Sequence, residues 1–333
     1  MFARWLQRQW FEQRRLTPAL WLFAPLSAIY AGLSGLNRLL AKPRRLPVPV
    51  VVVGNITVGG AGKTPLTLWL AEQLRRRGWH PGVVSRGYGR SGDAVRPVLA
   101  DSTPAEVGDE PLLIARRSGI PVWVGRSRAA AGEALLLAHP EVDVVLCDDG
   151  LQHHALARDV ELAVFDARGI GNGWRLPVGP LREPLSRLGS VDAVVANGLP
   201  AGALSSPVPR FDMSLRPGNF YRLDDPAQTC GAAALRTRGK LHALAGIGNP
   251  QRFFATLQAL GLDCETHPFP DHHRYTTADL AFADGGILLM TEKDAVKCTN
   301  LPMGEAWVLP VEAELSPALI DYIVEKLRGR QVA

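Results

Sequence analysis

A glycine-rich loop that ends in Gly62, Lys63 and Thr64 contains the residue types best suited to phosphate chemistry in this sequence. Four consecutive valines precede the loop, and apolar residues recur at helical spacing after it. Between a strand and a helix, such a loop points backbone N–H groups at a phosphate, the lysine adds a positive charge, and the helix N-terminus favours an anion. The pattern predicts a P-loop that binds the phosphates of ATP, with Thr64 as a ligand of Mg²⁺.

The loop departs from the usual spacing G-x-x-x-x-G-K-[ST] at one position, because Thr57 stands where the first glycine is expected. An alternative interpretation is a flexible turn that ends in Lys-Thr by chance, but the strand and helix predicted on either side favour the P-loop. The residues predicted to contact the nucleotide are Thr57, Val58, Gly59, Gly60, Ala61, Gly62, Lys63 and Thr64.

Two adjacent carboxylates, Asp148 and Asp149, follow an apolar run that begins at Val142. At the end of a parallel strand they would lie beside the P-loop, where a carboxylate holds Mg²⁺ directly or through water. We therefore interpret them as a Walker B element. The alternative is a polar turn at the strand end, which is less well supported when a P-loop lies upstream.

Asp109 precedes a helical pattern and is followed by Glu110 and Pro111. Its carboxylate could cap the N-terminus of that helix, since aspartate is a preferred N-cap residue and proline is tolerated in the first turn. It could equally act as a base that accepts the proton of an attacking hydroxyl group. The local sequence does not separate these two roles.

Residues 267–275 combine aromatic, histidine and aspartate side chains in one loop, including His272 and His273. Adjacent histidines bind one metal ion less readily than pairs separated by one or three residues, and no cysteine accompanies them in the loop. We therefore favour a loop that closes over the P-loop, with a histidine that supports catalysis. The alternative is a polar surface loop followed by a helix that Thr276 caps.

The elements that must position these residues follow from the chain's alternation of apolar runs and amphipathic intervals, which is typical of a parallel sheet covered by helices on both faces. We predict an α/β fold with a P-loop parallel-sheet domain over residues 46–235. Its strands are predicted at residues 50–53, 82–85, 121–124, 142–147, 160–165 and 193–196, and its helices at 64–77, 110–117, 127–138 and parts of 180–188.

A second, smaller α/β domain is predicted over residues 236–333, after a stretch rich in proline, serine and glycine. Its strands are predicted at residues 241–245, 263–268, 287–290 and 306–310, and its helices at 250–260, from 276, and at 316–328.

The composition is that of an ordinary globular protein, with 47% hydrophobic and 21% charged residues among 333. The four cysteines are far apart and form no C-x-x-C pair, so neither a zinc site nor a disulfide framework is indicated. A reducing cytosol fits this usage.

Residues 1–45 form a separate basic and apolar segment. An amphipathic helix is predicted over residues 2–15, with an apolar face and a face that contains Arg8 and Arg15. Residues 16–37 carry no charge, but prolines interrupt them. Three interpretations remain open: a helix embedded in the membrane interface, which we prefer, a transmembrane span, and a helix packed on the protein's own core.

In their order along the chain, these motifs resemble the tetraacyldisaccharide 4'-kinase family, the lipid A 4'-kinases of outer-membrane biogenesis. The resemblance covers nearly the whole chain, and threonine at the first P-loop position belongs to the family pattern. Together the motifs are far more specific than any one alone. They begin with the N-terminal hydrophobic helix and continue at residues 57–64, 85–89, 108–111, 148–153, 181–184, 271–273 and 291–294.

The resemblance implies ATP-dependent phosphorylation of the 4'-hydroxyl of a tetraacylated glucosamine disaccharide 1-phosphate, giving lipid IVA and ADP. It implies a glycolipid substrate, Mg²⁺, and a peripheral or monotopic position on the cytoplasmic face of the inner membrane, and we expect no nucleic-acid partner. The implied catalytic dyad is Asp109 with His272, the magnesium and catalytic carboxylates are Asp148 and Asp149, and further nucleotide or active-site contacts are Tyr88, His153 and Asn197.

A second hypothesis is a membrane-associated P-loop ATPase switch without a small-molecule acceptor. Residues 58–64 are similar to the loop K-G-G-x-G-K-[ST] of the partitioning ATPases. The leading lysine of that loop is Val58 here, so the residue that reaches across such dimers is missing. The two hypotheses differ in whether added glycolipid drives ATP turnover.

Overall fold

Two β-sheets of unequal size organise the chain. The structure, a computed structural model, describes residues 2–13, 16–299 and 301–331. The strands are β1 (Val50–Gly54), β2 (Pro81–Ser85), β3 (Arg96–Pro97), β4 (Val122–Val124), β5 (Val144–Asp148), β6 (Val160–Asp166), β7 (Ala193–Asn197), β8 (Arg210–Pro217), β9 (Phe220–Arg222), β10 (Thr229–Cys230), β11 (Leu241–Ala245), β12 (Glu265–Pro268), β13 (Ile287–Thr291), β14 (Ala306–Leu309) and β15 (Val311–Leu315). The helices are α1 (Phe2–Phe11), α2 (Pro18–Trp21), α3 (Ala24–Leu40), α4 (Lys63–Arg76), α5 (Pro104–Val107), α6 (Asp109–Ser118), α7 (Arg128–Ala138), α8 (Ala232–Leu235), α9 (Pro250–Ala259), α10 (Thr277–Leu280), α11 (Glu292–Cys298) and α12 (Ala318–Gln331). Short 3₁₀ helices cover Leu185–Ser190 and Ala281–Ala283.

The larger sheet has the strand order β15-β8-β7-β6-β1-β5-β2-β4-β3. The strands from β8 to β4 in this order pair in parallel, and the two edge strands, β15 and β3, pair antiparallel. Along β1, Val51 and Val53 pack into one apolar core while Val50 and Val52 pack into another on the opposite face. A strand buried on both faces requires an unbroken apolar run, which explains the four valines and confirms the predicted α/β class.

The smaller sheet has the order β10-β9-β14-β13-β11-β12, with parallel pairing among the last four strands and antiparallel pairing of β9 and β10. Its strands run from residue 220 to residue 309. The chain then returns to the larger sheet, because β15 pairs with β8 and apolar residues of α12 join the core beneath α4. The chain passes from the larger sheet to the smaller one between β8 and β9 and returns between β14 and β15. These points do not coincide with the predicted domain boundaries at residues 235 and 333.

The N-terminal helices pack on the larger sheet's loops through one face. The helix predicted over residues 2–15 ends earlier, at Phe11, and Arg15 lies outside the described residues. Pro18 and Pro25 begin α2 and α3 instead of breaking one helix, as fits a residue that lacks an N–H. Hydrogen bonds to backbone carbonyls join Trp10 to Pro177 (3.0 Å), Ser27 to Arg175 (3.1 Å) and Tyr30 to Arg182 (3.2 Å).

Among the helices that the structure describes, none is both long enough and apolar enough to cross a bilayer.

Candidate active site

The P-loop lies between β1 and α4, as predicted, and its shape depends on two glycines. Gly59 and Gly62 have φ angles of 102° and 96°, in the region that favours glycine. A Cβ at Gly62 would lie 2.6 Å from Asn197 Nδ2. Asn197 is buried and donates a 3.0 Å hydrogen bond to the Ala61 carbonyl. The structure therefore brings Asn197 to the P-loop, where it supports the loop backbone.

The first half of the loop is fixed to the segment that contains Leu181 and Arg182. Thr57 forms a β-bridge with Leu181, and the Val58 amide donates to the Pro180 carbonyl at 2.9 Å. The Val58 N–H is thus already used within the protein. The second half of the loop, from Gly59 to Lys63, provides the remaining amides that were predicted to face a phosphate.

Lys63 connects the P-loop to the Walker B carboxylates. Its Nζ lies 3.3 Å from Asp149 Oδ1 and donates to Asn55 Oδ1 at 3.2 Å. Arg182 Nη1 lies 3.4 Å from the same Asp149 oxygen. Burial would raise the pKa of Asp149, but Lys63 and Arg182 outweigh burial and hold this pKa below its ordinary value.

Asp148 is fully buried at the end of β5. Its Oδ1 accepts a 3.2 Å hydrogen bond from Thr67 Oγ1, whereas its Oδ2 has no hydrogen-bond partner among the described residues. Burial, together with the negative charges of Glu110 and Asp149, raises the pKa of Asp148 to about 7. A buried carboxylate oxygen without a donor suits a hard cation, so the residues present fit Mg²⁺. The predicted ligand Thr64 lies in the first turn of α4, one turn before Thr67.

Asp109 and His272 meet between the two sheets. His272 Nδ1 lies 3.0 Å from Asp109 Oδ2, and the imidazole belongs to the loop after β12, where His272 has a φ of 59°. Asp109 is the first residue of α6, and the N-cap of this helix is Gly108. The interpretation of Asp109 as the N-cap residue is therefore wrong.

The hydrogen bond between Asp109 and His272 shifts the pKa of both groups. Burial would raise the pKa of Asp109, but the hydrogen bond from His272 and the charge of Lys293 lower it below its ordinary value. The same hydrogen bond raises the pKa of His272, although burial opposes the shift. The structure thus favours an ionised carboxylate next to an imidazole that holds its proton more tightly than usual.

Lys293, in the first turn of α11, joins the two sheets at this point. Its Nζ lies 3.0 Å from Glu110 Oε1, 3.2 Å from Asp271 Oδ1 and 3.8 Å from Asp109 Oδ2. Burial would lower the pKa of Lys293, but the surrounding carboxylates raise it above its ordinary value. A charged lysine among three acids holds the loop of His272 against the start of α6.

The P-loop and the Asp109–His272 pair face the same cleft. Gly248, in the loop after β11, lies close to both. If it carried a Cβ atom, that atom would be 3.4 Å from Asp271 Oδ2 and 3.9 Å from the Gly60 amide nitrogen. The loops of the smaller sheet therefore lie close to the P-loop, and the residues predicted to bind phosphate and to accept a proton lie at the same junction between the two sheets.

The two remaining predicted contacts lie in different places. The Tyr88 ring centroid is 5.0 Å from that of His272, and the side chain is 62% exposed, so Tyr88 lies at the open side of the pair. His153 Nε2 accepts from the Arg128 amide at 3.3 Å, at the start of α7. Burial and the charges of Arg128 and Arg158 lower the pKa of His153 to about 4, so this imidazole is neutral.

Sequence reasoning missed several charged or polar residues of the cleft. Lys293 and Arg182 belong to motifs of the family resemblance, but no role was predicted for either residue. Asn55, next to β1, was not predicted as a site residue. Arg168 lies close to the P-loop, since a Cβ at Gly59 would be 2.9 Å from its Nη2. Arg182, Lys293 and Arg168 contact residues that are far from them in sequence, so spacing alone cannot reveal these contacts.

Comparisons with known proteins identify the family of this chain. Residues 19–328 match the family model described as tetraacyldisaccharide-1-P 4'-kinase. A tetraacyldisaccharide 4'-kinase of Dechloromonas aromatica (strain RCB) is 75% identical over all of both chains, and one of Azoarcus sp. (strain BH72) is 52% identical over 95% of this chain and 94% of its own. The crystal structure of LpxK from Aquifex aeolicus, described as an "apo" form in complex with ATP, is similar with a TM-score of 0.80 and 28% identity, covering 93% of this chain and 99% of its own. The chain belongs to the tetraacyldisaccharide-1-P 4'-kinase family.

Proposed function

We propose that this chain transfers the γ-phosphate of ATP to the 4'-hydroxyl of tetraacyldisaccharide 1-phosphate, giving lipid IVA and ADP in lipid A biosynthesis. Membership of the kinase family supports the reaction. The observation that carries the proposal is the Asp109–His272 pair, 3.0 Å apart in the cleft that also contains the P-loop. A base beside a phosphate-binding loop is what a hydroxyl acceptor requires.

The nucleotide phosphates bind to the second half of the P-loop, Gly59 to Lys63, at the N-terminus of α4. Lys63 contributes its charge to the transferring phosphate, and Arg182 adds a second cation on the same side. Asp148, Asp149 and Thr64 would hold Mg²⁺, and the Oδ2 of Asp148, which has no hydrogen-bond partner among the described residues, supports this assignment. When bound, Mg²⁺ would supply positive charge against the charge that develops on the transferred phosphate.

Asp109 accepts the proton of the 4'-hydroxyl group. As this proton leaves, the hydroxyl oxygen forms a bond to the γ-phosphorus, and the bond between that phosphorus and the bridging oxygen of ADP breaks. His272 donates a hydrogen bond to Asp109, which keeps the carboxylate ionised and oriented. Lys293 fixes the loop that carries His272, and this keeps the acceptor site aligned with the P-loop. Tyr88, exposed beside His272, is suited to contact the acceptor sugar.

The outward face of the N-terminal helices is suited to the bilayer that contains the acceptor. From residue 22 to the end of α3, the apolar side chains at least half exposed include six at intervals of three and four residues: Leu22, Leu26, Ile29, Leu33, Leu36 and Leu40. We call this set the apolar stripe. Trp21 and Trp174, 5.5 Å apart, lie at its start, and aromatic rings favour the membrane interface. We infer a peripheral attachment to the cytoplasmic face of the inner membrane.

ATP turnover with and without glycolipid tests this function against the ATPase switch of the partitioning type. The purified protein, Mg²⁺ and ATP are mixed with disaccharide 1-phosphate in detergent, and ADP release is followed. A kinase releases ADP in proportion to the glycolipid supplied. Slow ADP release that glycolipid does not change would favour the switch.

A further inference from the structure

The smaller sheet carries a second cluster of residues with metal-ligating side chains. β11 and β12 pair in parallel with His242 opposite Glu265, and His267 follows two residues later on the same face. The candidate ligand atoms of His242, Glu265 and His267 all lie within 4.8 Å of one another. His242 stands four residues before Gly246, about 13 Å along the strand from the end that faces the cleft, and Glu265 lies opposite it.

The distances within the cluster suit one small cation. His242 Nδ1 and His267 Nε2 are 3.1 Å apart, and the Glu265 oxygens lie 3.9 Å and 3.8 Å from these nitrogens. Two nitrogens bound to Zn²⁺ at about 2.05 Å in tetrahedral geometry are about 3.3 Å apart. Only a small shift of the carboxylate would bring all three ligands to one ion.

The two imidazoles are held in place by their surroundings. The His242 side chain is 3% exposed, and a Cβ at Gly286 would lie 2.8 Å from its ring, so glycine leaves room for this position. The Phe282 ring stacks on His267 with centroids 3.5 Å apart.

We propose that His242, Glu265 and His267 form a binding site for a divalent transition-metal cation of the Zn²⁺ class. Two imidazoles and one carboxylate are a known zinc ligand set that leaves the fourth position to water, whereas Mg²⁺ prefers oxygen ligands. The bound ion joins the edge strand β12 to β11. Without the ion, the Lys240 ammonium, 2.8 Å from Glu265 Oε2, neutralises the carboxylate.

Zinc binding to the full chain tests the proposal. The protein is stripped with a chelator and saturated with Mg²⁺ and ATP, so that the P-loop site is filled, and ZnCl₂ is titrated by calorimetry. We expect one equivalent of Zn²⁺ to bind and the melting temperature to rise with zinc concentration. Co²⁺ in place of Zn²⁺ should give the visible absorption of a tetrahedral site.

Three variants and a control separate ligation from nonspecific binding. Glu265→Gln and His267→Gln each remove a ligand and should weaken Zn²⁺ binding by on the order of tenfold or more. Lys240→Gln removes the competing charge and should strengthen binding. His139→Gln should change nothing, since His139 and Glu141 are a surface pair outside any three-ligand group among the described residues.

Glu265 is half exposed, so its variant should fold even where His267→Gln does not, and circular dichroism checks both. Kinase turnover should be unchanged in Glu265→Gln, because Glu265 is the first residue of β12, at the end of the strand away from the cleft. Absence of saturable Zn²⁺ binding by the wild-type protein, or equal binding by Glu265→Gln, would overturn the site and leave the His242–His267 hydrogen bond as the whole arrangement.

Discussion

Asp109 and His272 approach to 3.0 Å although 163 residues separate them, and each comes from a different half of the molecule. Asp109 begins a helix that packs on the larger sheet, and His272 lies in a loop that follows a strand of the smaller sheet. The pair therefore forms only where the two sheets meet, so the proposed proton acceptor and the P-loop depend on the same arrangement of the sheets.

Replacement of Lys63 by alanine should lower kcat by roughly 10²–10³-fold, because the lysine's positive charge stabilises the phosphoryl group during transfer and such stabilisation supplies much of the catalysis. The fold should be intact, since Lys63 fills no core cavity. Lys326→Ala is the matched control, because Lys326 pairs with Asp192 elsewhere. Turnover of Lys63→Ala at the wild-type rate would remove the P-loop from the mechanism.

The conservative change Asp109→Asn should lower kcat by on the order of 10²–10⁴-fold with little change in the KM for ATP, because only the acceptor hydroxyl needs a base. His272→Gln should lower kcat less. His273→Gln is its control, since the neighbouring His273 contacts Asp279 at 3.3 Å instead of Asp109. Full activity of Asp109→Asn would contradict the role of a base.

The Asp109–His272 pair should also make stability depend on pH. The raised pKa of His272 gives stability that is full below the ordinary histidine value of about 6.5 and is lost as pH rises through the raised value. The lowered pKa of Asp109 gives stability that is present above about 3.9 and is lost as pH falls through the lowered value. Urea unfolding of wild type and His272→Gln should therefore differ most near pH 5–6 and least at alkaline pH. A difference that does not vary with pH would refute this coupling.

Lys293→Met should lower both stability and kcat, because it leaves Glu110, Asp271 and Asp109 without their shared cation. We expect a loss of about 3 kcal/mol in the free energy of unfolding. Lys297→Met is the informative comparison, since Lys297 pairs with Asp294 within the smaller sheet and should affect stability far more than kcat. Equal kcat losses in the two variants would argue against a bridging role for Lys293.

Substitution of Leu22, Ile29 and Leu33 together by glutamine should weaken sedimentation with anionic liposomes by on the order of tenfold or more, since each exposed side chain would otherwise enter the interface. Leu137→Gln is a matched control, because Leu137 is 88% exposed but lies on α7, outside the apolar stripe. Unchanged liposome binding by the triple variant would exclude the apolar stripe as the attachment surface.

The sequence allowed the elements around the P-loop to be predicted within about two residues, because strands buried on both faces need unbroken apolar runs. The strands that it missed, such as β8 and β15, lie at or next to the sheet edge and alternate exposed with partly buried residues. A short alternating pattern with charges, such as Val311 to Leu315, is difficult to distinguish from a loop.

The candidate site was predictable where one motif contains its residues, as in the P-loop and in Asp148 with Asp149. The resemblance to the kinase family paired Asp109 with His272, and residue spacing alone would not have done so. The contacts of Lys293 and the cluster of His242 with His267 depend on packing between elements that the sequence does not order in space.

The chemical structure of the lipid product tests directly whether this chain phosphorylates the 4'-hydroxyl. Protein, Mg²⁺, ATP and disaccharide 1-phosphate are incubated, and the extracted lipid is analysed by tandem mass spectrometry, with Asp109→Asn as the inactive control. The product should be heavier by one phosphate group, located on the 4' position of the distal glucosamine. Unmodified disaccharide 1-phosphate after ATP has been consumed, or a phosphate at any other position, would contradict it.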